Sequence, residues 1–115
     1  MITEELIQVY TQCLNEVMEQ TADWFDSEEQ NVDDLKKLIV KGTSEVEDLY
    51  YSSISTKACM EIYIALINHV YDLNIDYAIN NDTFQLEREG GDEYDFNFSI
   101  HFYNEYEKIL DSLDD

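Results

Sequence analysis

The sequence predicts an α+β fold in which several amphipathic helices surround a hydrophobic central helix and pack on a small antiparallel β-sheet or hairpin, followed by a C-terminal helix. Three observations carry this reading. Apolar residues recur at three- and four-residue steps from the N-terminus to about Leu73. The period then falls to two, where Tyr94, Phe96, Phe98, Ile100 and Phe102 alternate with Asp95, Asn97, Ser99 and His101. With 115 residues and an apolar fraction of 44%, residues 1–115 read as a single acidic globular domain rather than a disordered tail.

Residues 3–25 set Leu6, Tyr10, Cys13, Leu14, Val17, Met18, Thr21 and Phe25 along one face of a long helix. Thr3 is its candidate cap, and Glu4 and Glu5 fall in the first turn, where the helix dipole favours negative charge. Asn31 reads as the cap of a short second helix with Val32, Leu35, Leu38 and Ile39 inward, which Gly42 should stop. Lys36, Lys37 and Lys41 lie in that helix, so half of the chain's cations are concentrated there. Ser44-Glu45-Val46-Glu47 reads as a capping box opening a third short helix through Tyr50-Tyr51.

Thr56 is the candidate cap of a fourth helix running to about Leu73. Its apolar residues cover most of its circumference, which predicts either a central helix or a homodimer face. Ile75, Tyr77 and Ile79 supply a third strand or else prolong this helix. Phe84 and Leu86 open a hairpin whose turn chemistry is Glu89-Gly90-Gly91-Asp92. Asn104 then caps a last helix carrying Tyr106, Ile109, Leu110 and Leu113.

Several function classes are disfavoured. Gly42, Gly90 and Gly91 are the only glycines, so no phosphate cradle exists and no nucleotide cofactor is expected. Cys13 and Cys59 both fall on apolar helical stretches and read as core thiols, too few for a disulfide framework or a cysteine-rich zinc site. His69 and His101 sit apart on different elements, and the Ser52-Ser53-Ile54-Ser55 run has no strand-turn-helix elbow, so no catalytic residue is assigned and a non-enzyme is expected. The stretch from Asp72 to Thr83 resembles an EF-hand loop at Asp72, Asn74 and Asp76. It carries Tyr77 where the turn needs glycine and Thr83 where a bidentate Glu belongs, so no metal site is assigned. No run of ~18 apolar residues or basic leader is present, which makes a soluble cytoplasmic protein the expectation.

The dominant feature is charge. Twenty-seven Asp and Glu stand against six Lys and Arg, for a formal charge of −21. Solubility alone asks for a magnitude of about 2 to 8 in a small domain. Direct binding to nucleic acid or a membrane is disfavoured by repulsion, and a basic protein partner is favoured. Size scaling gives a surface on the order of 6,500 Å², or about one carboxylate per 240 Å². Duplex DNA carries about one charge per 105 Å² of its cylinder, so carboxylates gathered on half the surface would approach its density. Helical steps of three and four supply the means, as at Glu16 and Glu19, Asp23 and Asp26, Glu45 and Asp48, and Asp111 and Asp115.

The densest segments are Asp23-Trp24-Phe25-Asp26-Ser27-Glu28-Glu29, Glu45-Val46-Glu47-Asp48-Leu49-Tyr50-Tyr51, Gly91-Asp92-Glu93-Tyr94-Asp95 and the acidic C-terminus. In these segments, in composition and in size the chain resembles the small acidic DNA-mimic inhibitors, many of them phage-encoded, that occupy DNA-binding surfaces of host proteins. The resemblance implies a basic DNA-binding partner, of the range known for that kind: restriction enzymes, CRISPR effectors, DNA glycosylases, nucleoid proteins and sliding clamps. The candidate partner-binding residues are Asp23, Trp24, Asp26, Glu28, Glu29, Glu45, Glu47, Asp48, Tyr50, Tyr51, Asp92, Glu93 and Asp95. Trp24 and Tyr50-Tyr51 lie inside acidic clusters as candidate exposed anchors. An immunity or antitoxin protein that caps a basic nuclease, or an acidic adaptor, is the alternative, because opposite charge speeds association there too.

Overall fold

The computed structural model describes residues 4–50, 54–89 and 95–113. Helix α1 (Glu4–Asp26) begins with Glu4 and Glu5 in its first turn and buries Tyr10, Leu14, Val17, Met18, Thr21 and Phe25. The expected cap Thr3 lies outside the described residues. Cys13, expected in the core, is exposed instead. It stands about 100° around the helix from Leu14, beyond the arc that faces the core. Beyond Asp26 the Ser27 amide bonds to the Trp24 carbonyl at 3.2 Å, and the Ser27 hydroxyl accepts from the Glu29 amide at 3.2 Å. Asn31 then caps helix α2 (Val32–Tyr50), its Oδ1 accepting the amides of Asp33 at 2.9 Å and Asp34 at 3.3 Å.

Helix α2 corrects the expectation of two short helices. It runs unbroken through Gly42 and Ser44, so Gly42 is no stop and Ser44-Glu45-Val46-Glu47 opens no new helix. The glycine serves a close approach. A Cβ at position 42 would lie 2.2 Å from carbons of the Tyr63 ring. Tyr63 is fully buried, shares a 2.7 Å hydrogen bond with Thr21 Oγ1, and donates to the Val17 carbonyl at 3.3 Å. One side chain thus joins α1, α2 and the helix it belongs to, α3 (Thr56–Tyr71). The hydroxyl is satisfied by two partners, where leaving it buried with none would cost ~1–3 kcal/mol.

Helix α3 is central, with Cys59, Met60, Tyr63, Ile64, Leu66 and Ile67 all buried. Its cap is Ser55 rather than Thr56: the Ser55 hydroxyl accepts from the Ala58 amide at 3.1 Å. Asp72, at φ 55°, closes it in the left-handed region. Three antiparallel strands follow in the order β1 (Ile75–Ile79), β2 (Thr83–Glu89) and β3 (Asp95–His101). The 75–79 stretch is therefore a strand and does not prolong α3. The Asn80 amide bonds to the Thr83 carbonyl, so the residues of β1 at 75, 77 and 79 turn their backbone groups to the open edge. The Asn68 side chain fills the first of these edge positions, accepting from the Ile75 amide and donating to its carbonyl, both at 2.9 Å. Ile75, Phe84, Leu86, Phe98 and Ile100 bury the face of the sheet that meets the helices.

The stretch resembling a calcium loop is thereby a helix cap, a strand and a turn. Asp76 pairs in register with Glu87, in an extended conformation that does not wrap an ion. After β3, Phe102–Tyr106 form a π-helical turn leading into α4 (Glu107–Leu113). Asn104 lies inside that turn and is not a cap. Glu105 takes the capping work instead, accepting from the His101 amide at 2.9 Å with one oxygen and from Lys36 Nζ at 2.9 Å with the other. Among the described residues no helix is long and apolar enough to cross a membrane.

Candidate functional site

The 27 carboxylates share a surface of 7204 Å², about one per 270 Å². Two of the six basic side chains are tied up in internal contacts. Among the described side chains one direct ion pair forms, Lys36 to Glu105, and it ties α2 to the π-helical turn. Lys57 donates to the carbonyls of Asn80 and Asn81 and stands 5.2 Å above the Phe102 ring. Both lysines are engaged in holding elements together.

On α1 the exposed residues Glu16, Glu19, Asp23 and Asp26 follow steps of three, four and three, which strings them along one side of the helix over ~15 Å. Of the first predicted cluster, Asp23, Asp26, Glu28 and Glu29 are exposed as a partner site requires. Trp24 is not the exposed anchor expected of it. It is 7% exposed, packs edge-on against Phe25 with ring centroids 5.1 Å apart, and donates its indole N–H to the Asn31 carbonyl at 2.8 Å. Its role is to pin the turn between α1 and α2.

Beside this turn lies a groove of about 560 Å³. Asp23, Glu29 and Asp34 line it together with Lys37 and Lys41, over a floor that includes Trp24, Leu38 and Leu113, the last residue of α4. Asp26 and Glu28 are outside it. The first cluster is therefore divided between an open ridge and a groove of mixed charge.

The second cluster is divided by helical phase. Glu45 and Asp48 turn toward α1, where burial pushes the Glu45 carboxyl above its ordinary range, Lys41 opposes the rise, and Glu16 and Asp48 reinforce it. Glu47 faces the other way. Burial, and after it the Glu47 carboxylate, push the Cys59 thiol up to about 11, and the same two causes raise the Tyr106 phenol. Glu45 Oε2, Glu47 Oε1 and the Tyr106 hydroxyl are buried with no hydrogen-bond partner among the described residues. Tyr50 ends α2, and its side chain, like Tyr51, Asp92 and Glu93, lies outside what the structure describes. Asp95 begins β3 directly opposite Glu89 in the strand register.

The structure thus brings together a set that differs from the predicted one. Glu16 joins Glu45 and Asp48 across the α1–α2 hairpin. Glu19 and Asp23 together approach Tyr71 at the end of α3, whose phenol is raised first by burial and then by these two carboxylates. Exposed Asp76 stands opposite exposed Glu87 on the sheet, a like-charge pair that strand pairing disfavours. Glu16 and Glu19 were visible in sequence as a helical step; Asp76 and Glu87 needed the register.

The residues brought together are chiefly carboxylates. His69 and His101 are exposed on separate elements, and among the described residues no group of three His, Cys, Asp or Glu side chains could hold a metal ion. What the surface can do is attract a cationic body over several ångströms of solvent and present carboxylates to it in rows. Against protein-family models, curated proteins and solved structures the chain finds no match.

Proposed function

We propose that the protein is an acidic inhibitor that occupies the basic DNA-binding surface of a host or defence DNA-binding protein and blocks access of DNA. The observation that carries this reading is the α1 ridge: four exposed carboxylates at helical steps, on a body of formal charge −21 whose lysines are partly committed to internal contacts. Their spacing of ~5–6 Å at Cβ is comparable to that of neighbouring phosphates. Like charges so placed cost a few tenths of a kcal/mol per pair, a cost that solubility does not require.

The test starts with capture of partners from host lysate at low salt and elution by salt steps, because an attraction led by charge weakens as the Debye length falls to about 10 Å at 0.1 M. A captured DNA-binding protein is then offered labelled duplex with and without inhibitor. Displacement of DNA by the parent is expected, with association slowed about tenfold in the variant Glu16→Gln, Glu19→Gln, Asp23→Asn, Asp26→Asn at low salt. A partner bound equally well in the presence of saturating DNA would overturn mimicry and leave a toxin-capping or adaptor role.

A further inference from the structure

We propose that the groove between α1 and α2 is a receptor for one arginine side chain of the basic partner, an inference that rests on the partner being basic as argued above. The groove has the two components that an arginine needs. Its floor is apolar, with Leu38, the 36%-exposed Leu113 and the small accessible part of Trp24, whose indole N–H is already engaged by Asn31. The methylene stem of an arginine would lie on that floor. Its carboxylates, Asp23, Glu29 and Asp34, come from α1, the turn and the start of α2, so they approach an entering guanidinium from separate elements. Planar bidentate pairing with a carboxylate is more favourable for guanidinium than for ammonium.

Lys37 and Lys41 line the same groove from α2, and they set the sign of the test. Among the described residues three carboxylates stand against two ammoniums, a balance that one added cation neutralises. If the occupant is a cation, the lysines oppose it, and removing their charge tightens binding. If it is an anion, removing them abolishes binding. The two classes of ligand therefore predict opposite results for the same variant.

Trp24 is the chain's only tryptophan, so its fluorescence reports on the groove floor directly. The probe is the blocked peptide acetyl-Gly-Arg-Gly-amide, titrated at fixed ionic strength beside its Lys and Glu counterparts. A saturable change with the arginine peptide is expected, on the order of millimolar affinity for so small a ligand. Binding should weaken about threefold or more in Asp23→Asn with Asp34→Asn, the loss expected for partly exposed charge contacts, and strengthen in Lys37→Gln with Lys41→Gln. Asp23, Asp34 and Lys37 are exposed and Lys41 is half-buried, and circular dichroism checks that each variant keeps its helices. No saturable response, an equal response in the Asp variant, or tighter binding of the Glu peptide overturns the proposal. Failure here and failure of mimicry are separable: a silent groove in a protein that still displaces DNA from its target refutes the groove alone. An arginine-binding groove in a protein that does not compete with DNA refutes mimicry alone.

Discussion

At the turn end of the α1–α2 hairpin, Asp23, Glu29 and Asp34 share a groove with Lys37 and Lys41; further along, Glu16, Glu45 and Asp48 meet with Lys41 as the cation that opposes them. Both regions hold three carboxylates, yet one is a mixed-charge cleft and the other concentrates like charge at Glu45, one of whose oxygens is buried with no hydrogen-bond partner among the described residues. Position along the helix makes the difference. On α2 Lys37 and Lys41 sit one turn from each other and face α1 early in the helix, whereas Glu45 and Asp48 reach the same face about one and two turns beyond Lys41. Counting acidic residues along the chain cannot reveal this, because the local potential depends on which charges the hairpin juxtaposes.

The largest expected effect tests whether the turn end is a structural unit before it is a docking site. Trp24→Ala should lower stability by about 3–5 kcal/mol, the usual range for removing a buried tryptophan, since it also frees the Asn31 carbonyl. Urea denaturation measures this directly. An exposed anchor would instead tolerate the change within about 0.5 kcal/mol, and that outcome would return Trp24 to the list of contact residues.

Next in size is the spacer between the two ends. Gly→Ala inside a helix normally stabilises by about 1 kcal/mol, but a Cβ at position 42 meets the Tyr63 ring at 2.2 Å. Gly42→Ala should therefore destabilise by about 1–3 kcal/mol, as overpacking does. In a Tyr63→Leu background the same substitution should become neutral or stabilising, and the double-mutant cycle isolates the contact. Additive behaviour would show that the helices are held apart by something other than this ring.

These two residues also show where sequence reading succeeds and where it stops. The period of α1, the Asn31 cap and the alternation of β2 and β3 are properties of neighbours in the chain, so the α+β class, the central α3 helix and most element bounds were legible. Gly42 was misread because a helix stop and a close helix–helix approach ask for the same residue, and only the position of Tyr63, twenty-one places on, separates them. Trp24 looked exposed because its sequence neighbours are acidic, although in a helix its effective neighbours are three and four residues away. The acidic character of the surface was plain from composition, whereas the meeting of Glu16 with Glu45, or of Asp76 with Glu87, depends on packing and register.

A smaller effect distinguishes the two ends by pH. Because the folded-state carboxyl of Glu45 is raised, the native chain holds its proton more tightly than the unfolded chain does. The native state then binds more protons in the window that begins near the ordinary glutamate value and extends upward, so this group subtracts stability as pH rises through that window. Glu45→Gln should accordingly raise the melting temperature at neutral pH, and the gain should vanish when the parent is acidified enough to protonate Glu45. A Glu45→Gln variant that melts below the parent at neutral pH would mean that the charge is held by a favourable contact, and the contrast between the two ends would fail.

The smallest expected effect is the response to salt, and it is the most specific to the comparison. With 27 acidic residues and six basic ones, repulsion should weaken as monovalent salt is added, so melting temperature should climb between about 10 and 300 mM NaCl. The climb should not be shared equally. Neutralising Glu16 and Asp48 removes repulsion that nearby lysines only partly relieve, and should flatten the salt response while raising the melting temperature at low salt. Neutralising Asp23 and Asp34 leaves Lys37 and Lys41 facing fewer carboxylates, so it removes attraction along with repulsion and should change the salt response less. Equal flattening by both pairs would mean that the long-range field of the whole molecule outweighs local arrangement. The division of the hairpin into a lysine-bearing cleft and a concentrated anionic region would then have no energetic content.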